Sequence, residues 1–111
     1  EKLAREKEKW GRFAELSPDV IGAFGQIVLQ VKEGGVLDFK TLELISVAVA
    51  VARKCEPCML SHVELAVEAG CTREELAAAL NTTNLLCGGP GWAYSAMALD
   101  AFNQMSAAKG K

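Results

Sequence analysis

Four residues of this chain have the types and the spacing to do chemistry. Cys55 and Cys58 flank Glu56-Pro57, a spacing that lets two thiols across a helix start bond to each other without moving the backbone. An unperturbed thiol, with a pKa of about 8.5, is only about 3% thiolate at pH 7, and half ionisation requires roughly 2 kcal/mol of anion stabilisation. The partial positive charge of a helix N-terminus supplies about 0.3–1 kcal/mol at an exposed site and up to about 2 at a partly buried one. A dithiol at such a start is therefore expected to be redox-active, cycling between two thiols and a Cys55–Cys58 disulfide.

His62, the one histidine of the sequence, follows Cys58 by four residues and falls one turn along the same helical face. As imidazole it can take a thiol proton, and as imidazolium it can stabilise a thiolate. Glu43 stands at the head of an apolar segment, twelve residues before Cys55. A carboxylate buried there needs a partner such as His62 or an ordered water.

Plainer readings use the same residues. A surface dithiol or half of a zinc site would need only the cysteines, but no second Cys/His pair exists to complete four ligands. Cys58, His62 and Glu43 have ligand chemistry at helical spacing, which leaves a metal as a minor alternative. A lone histidine on a helix is usually structural, and Glu43 also suits a helix N-terminus by opposing the macrodipole. Cys71 and Cys87 each fall at a helix end with no thiol or base beside them and read as small packing residues. The adopted reading has no metal and no cofactor.

These side chains must be positioned by helices, because the punctuation is helical throughout. The first sixteen residues, Glu1 to Leu16, put Trp10, Phe13 and Ala14 on one stripe between charges, which predicts a peripheral amphipathic helix. Ser17 can cap a second helix with Pro18 in its first turn; Val20, Ile21, Phe24, Ile27, Val28 and Val31 repeat at three and four until Gly34-Gly35. Asp38 is the next candidate cap, and Thr41 to Ala52 is apolar nearly all round, which predicts a central helix buried on several faces. Cys55-Glu56-Pro57 breaks that helix and starts another, which runs to Ala69 and closes at Gly70. Thr72-Arg73-Glu74-Glu75 is a capping box for a helix carrying Leu76, Leu80, Thr83 and Cys87 on one face. Gly88-Gly89 ends it and Pro90 begins the last helix, with Trp92, Tyr94, Met97 and Met105 read as core or subunit-interface packing and Lys109-Gly110-Lys111 as a mobile end. The expectation is an all-α fold of about six helices, residues 1–111 forming one domain.

Composition narrows the partners. With 111 residues, half of them apolar, a small but genuine core is possible, and oligomerisation would relieve the high ratio of surface to volume. A formal charge of −2 without a dense Lys/Arg patch argues against nucleic acid or an anionic membrane as a partner. The longest apolar run, Leu44 to Ala52, interrupted by Ser46, falls well short of the roughly 20 residues that span a bilayer. Glu1 to Lys9 alternates acids and bases, unlike a secretory signal, so a cytoplasmic address is expected.

On these residues the chain resembles the AhpD-like alkylhydroperoxidases of the carboxymuconolactone decarboxylase superfamily. Glu43, Cys55, Cys58 and His62 reproduce that group's Glu-x11-Cys-x2-Cys-x3-His spacing. Ala69-Gly70-Cys71-Thr72-Arg73-Glu74-Glu75 is similar to its AGAT-x-EE turn, and Gly88-Gly89-Pro90 to its glycine-rich break, so the likeness runs from about Leu37 to Met97. The resemblance implies an all-α fold assembling into homotrimers or homohexamers, with the site near a subunit boundary. It implies Cys58 as the peroxidatic thiol that becomes a sulfenic acid, Cys55 as the resolving thiol, and Glu43 with His62 as a proton relay. A hydroperoxide or disulfide would be the substrate. A lipoyl-bearing or thioredoxin-like dithiol protein would be the electron donor, since no flavin or nicotinamide fingerprint is present.

One departure shifts the balance. The classical peroxidases of the group carry a His immediately before the second cysteine, where this chain has Pro57, and Glu56 adds a negative charge that opposes thiol ionisation. Pro in that place also occurs in the thioredoxin Cys-Gly-Pro-Cys motif, so a protein disulfide reductase competes with a peroxidase. A carboxymuconolactone decarboxylase-type enzyme and a non-catalytic redox sensor are the remaining alternatives.

Overall fold

The computed structural model describes residues 2–110, and among them every regular element is an α-helix. In chain order these are α1 (Lys2–Leu16), α2 (Pro18–Lys32), α3 (Phe39–Ala52), α4 (Glu56–Glu68), α5 (Arg73–Cys87) and α6 (Gly89–Lys109). They fall into two compact units, one through Asp38 and the other from Phe39 onward. The expected beginning of the first helix at Glu1, and Lys111 of the expected mobile end, lie outside the described residues.

In the first unit α1 buries Leu3, while α2 buries no residue. Trp10, Phe13, Val20, Phe24, Ile27 and Val31 are all exposed. The helical periodicity of this region is met and Pro18 opens α2 as expected, but the Ser17 side chain makes no capping hydrogen bond, and the residues of the apolar stripes are exposed.

The second unit holds the core. Helix α3 packs against α4, α5 and α6, and α6 also packs against α4 and α5. Val47, Ala50 and Val51 of α3 meet Met59, Leu60, Val63 and Ala66 of α4, Leu76 and Leu80 of α5, and Ala98, Ala101 and Phe102 of α6 in the buried set. Burying each of the larger of these side chains is worth about 1.5–3 kcal/mol. Polar atoms in the interior are paired: the Ser95 hydroxyl donates to Asn84 Oδ1 at 2.9 Å, and the Thr83 hydroxyl to the Ala48 carbonyl at 3.3 Å. Gly91 lets α6 approach α5 closely, since a Cβ there would stand 3.1 Å from Asn84 Oδ1.

Helix α3 is central and buried on several faces as expected, against α4, α5 and α6, while Ile45 and Val49 are exposed and line an open apolar groove of about 400 Å³ with Leu44, Ala79, Leu86 and Cys87. Two expectations are corrected. Cys87 is an exposed thiol at the end of α5 and not a packing residue, whereas Cys71 is buried as expected. The buried face of α6 includes Ser95, Ala98, Ala101 and Phe102, while Trp92 and Met97 are exposed and so are not core residues, and the helix runs to Lys109.

Candidate functional site

The site begins where α3 stops. The Lys54 N–H donates to the Val51 carbonyl at 3.0 Å and the Cys55 N–H to the Ala50 carbonyl at 3.0 Å, the paired bonds of a Schellman cap. That cap requires a left-handed residue, and Lys54 supplies it at φ +57°. Chain direction reverses within three residues, Arg53-Lys54-Cys55, and α4 begins at Glu56. Cys55, extended at φ −104° and ψ 97°, is the N-cap of α4, with Pro57 in the first turn where its missing N–H costs no helical bond.

This arrangement places both sulfurs at a helix N-terminus. Cys55 and Cys58 are disulfide-bonded across a Cα–Cα distance of 5.3 Å. The Cys58 backbone N–H points at Cys55 Sγ, 3.3 Å away, and the Cys55 carbonyl accepts the Met59 N–H at 2.9 Å. Cys55 is partly buried and Cys58 exposed. A thiolate on Cys55 would thus receive a direct backbone hydrogen bond besides the helix's partial charge, while Cys58 is the more exposed residue of the pair.

Glu43 and His62 meet. The Glu43 side chain, on α3, is only 1% exposed, and its Oε1 lies 2.7 Å from His62 Nδ1 on α4. The imidazole is about one-third exposed at 34%. Burial of the carboxylate is tolerable because the ring offers it a hydrogen bond. With Nδ1 donating to Glu43, Nε2 of a neutral His62 is left as the basic nitrogen, so the buried carboxylate selects the tautomer suited to accept a proton. Of the four residues named from the sequence, the structure pairs Cys55 with Cys58 in a disulfide and Glu43 with His62 in a hydrogen bond between α3 and α4. The sequence reading missed the left-handed Lys54 that sets the turn from α3 to α4. Among the described residues no three His, Cys, Asp or Glu side chains are arranged to hold a metal.

A second junction, from α4 to α5, is built in the same way around Gly70 (φ +83°). Gly70 N–H donates to the Val67 carbonyl and Cys71 N–H to the Ala66 carbonyl, each at 3.1 Å. Thr72 caps α5 in a reciprocal box with Glu75: Thr72 Oγ1 accepts the Glu75 N–H at 3.0 Å, and Glu75 Oε1 accepts the Thr72 N–H at 2.8 Å. The Thr72 N–H, then the Lys40 ammonium at 3.0 Å, hold the Glu75 carboxyl below its usual range.

Comparison with known proteins bears on this geometry. The model of the carboxymuconolactone decarboxylase family matches residues 18–101. The chain belongs to that family. A crystal structure of an apo carboxymuconolactone decarboxylase family protein from Legionella pneumophila superposes with a TM-score of 0.90 at 34% identity, covering 94% of this chain and 93% of that one. Among sequences, an uncharacterized protein of Cupriavidus necator is 32% identical over 106 residues, 96% of this chain and 94% of its own length. An uncharacterized protein of Haemophilus influenzae is 39% identical over 101 residues, 91% and 89% of the two chains. The Cys-x-x-Cys pair fits the AhpD-like part of the carboxymuconolactone decarboxylase superfamily, and the all-helical architecture matches the family structure. No helix among the described residues is long and apolar enough to cross a membrane.

Proposed function

We propose that this family member is a thiol-dependent oxidoreductase that reduces hydroperoxides through Cys55 and Cys58. The observation that carries the reading is a disulfide-bonded pair at a helix N-terminus, one turn from a histidine whose Nδ1 is held by a buried carboxylate. In the forward half-reaction the Cys58 thiolate attacks the distal peroxide oxygen, the O–O bond breaks, and alkoxide leaves and takes a proton to become the alcohol. Cys58 is then a sulfenic acid. The Cys55 thiol attacks its sulfur, expelling water and forming the disulfide, and an external dithiol returns two electrons to restore both thiols. His62 moves the protons, oriented by Glu43.

A specific observation favours a second order of events. Cys55 Sγ, not Cys58 Sγ, accepts the backbone N–H at the helix start, which suits a Cys55 thiolate attacking a protein disulfide, with Cys58 resolving the mixed disulfide. Trapping separates the two. A sulfenic acid on Cys58 in Cys55→Ser with hydroperoxide supports the peroxidase. A mixed disulfide on Cys55 in Cys58→Ser with a protein disulfide supports the reductase. The donor in either case is a lipoyl- or thioredoxin-like dithiol protein in a reducing, cytoplasmic compartment. Assembly into trimers or hexamers belongs to the same proposal, supported by the exposed Val20, Phe24, Ile27 and Val31 of α2 and by the open groove of α3; sedimentation measures it.

A further inference from the structure

Among the described residues, Lys54 alone takes a positive φ without being glycine. Lysine is a poor choice there on backbone grounds, because its Cβ crowds the carbonyl in a left-handed conformation that glycine adopts freely. The molecule contains its own control. The equivalent C′ position of the otherwise identical cap on α4 is Gly70. Strain retained at one of two equivalent caps, and at the one that delivers the redox pair, calls for a side-chain function.

The geometry points to Lys54 as a positioning residue whose exposed ammonium favours the thiolate of the Cys55–Cys58 pair. Its Cα is one peptide from that of Cys55, so even a fully extended side chain holds the ammonium within about 13 Å of Cys55 Sγ, inside the range of its field at low salt. The charges around the pair make this cation matter. Glu56, between the cysteines, opposes ionisation; Arg53 precedes Lys54, and His62 Nδ1 is engaged by Glu43. From the packed helices, the other charged residue of α3, Lys40, is engaged by Glu75. Of the two charged residues of α6, Asp100 accepts from Gln104, and Lys109 lies on the Val67 carbonyl at the far end of α4. Lys54 thus offsets Glu56 from the other flank of the dithiol. In water-like surroundings one such charge lowers a thiol pKa by a few tenths of a unit, roughly a twofold gain in thiolate at neutral pH.

This inference rests on the redox reading of the pair, but its test needs no substrate. The reduced protein, with Cys71 and Cys87 replaced by Ala in every sample, is alkylated with iodoacetamide across pH, at low salt and at 1 M salt. Three variants are compared with the parent: Lys54→Arg, which keeps charge and strain; Lys54→Gln, which keeps the strain alone; and Lys54→Gly, which removes both. The expected result is that Gln and Gly raise the apparent thiol pKa alike by a few tenths and slow alkylation at pH 7 about twofold. Arg restores the parent profile, 1 M salt abolishes the differences, and Gly melts no lower than the parent. A helix-capping cation with no bearing on the thiols would give identical profiles in all four proteins, which overturns the inference. A shift seen only with Gly, or one that survives 1 M salt, assigns the effect to backbone geometry and overturns it too. Should the protein reduce neither peroxide nor disulfide, the redox proposal fails while this result stands on its own.

Discussion

Two helix ends in this protein share one backbone design and present a cysteine to opposite surroundings. At the end of α3 the Schellman cap delivers Cys55 directly into the N-cap of α4, beside an exposed Cys58. At the end of α4 the same cap delivers Cys71 into the core, 7% exposed, with Thr72 taking over the N-cap of α5. The sulfur at the second junction makes a long contact to the Lys40 carbonyl, 3.9 Å, while the first has a disulfide partner and a backbone donor. A cap sets chain direction; whether the cysteine after it is reactive depends on which residue becomes the next N-cap.

The largest expected effect breaks the comparison at the sulfurs. Cys58→Ser should abolish redox turnover, whereas Cys71→Ser should keep it and lose about 1–3 kcal/mol of stability by introducing a hydroxyl into a core site; turnover assays and denaturant melts read both. Next is the buried pair, which the second junction lacks. His62→Ala removes one partner of a carboxylate that is 1% exposed, and should cost about 2–3 kcal/mol, less than breaking a fully buried pair because the ring itself is partly exposed. Chemical denaturation measures it, and His62→Ala should also flatten the pH dependence of turnover.

The caps themselves come third. Gly70→Ala forces a Cβ into φ +83° and should cost about 1–2 kcal/mol, while Lys54→Gly, the reverse change at the matching position, should be neutral or stabilising. The smallest effects sharpen the α5 side. Thr72→Ala should cost about 1 kcal/mol through the lost cap. Because the Glu75 carboxyl is held below its ordinary range when folded, its contribution is complete above the unfolded carboxylate pKa and disappears as pH falls through the folded value. The stability difference between Glu75→Gln and the parent should therefore shrink in acid, measured by urea unfolding across that range.

Legibility in the sequence followed locality. Thr72-Arg73-Glu74-Glu75 announces its capping box within four residues, and the Cys55-to-His62 spacing places three of the site residues on one helix start. Glu43 was nameable as a carboxylate in an apolar run, but its 2.7 Å contact with His62 depends on how α3 packs on α4, which periodicity does not encode. The outward faces of Val49, Leu86 and Trp92 were equally hidden, because an apolar position predicts burial without saying whether one chain supplies the cover. Lys54 escaped for a different reason. Left-handed caps are sought at glycine, and the only signal was geometric: Ala52 ends one helix and Glu56 starts another, a reversal too tight for right-handed residues alone.

The central claim is that Cys55 and Cys58 turn over as a dithiol. The most direct measurement is repeated cycles of hydroperoxide or protein-disulfide reduction by the reduced protein, supplied with excess dithiol, in the parent, Cys58→Ser and Cys71→Ser. Many turnovers are expected in the parent and in Cys71→Ser, none in Cys58→Ser, and a Cys55–Cys58 disulfide in the parent when the donor is exhausted. Full turnover in Cys58→Ser, or a parent that reduces neither oxidant more than once, would contradict the claim.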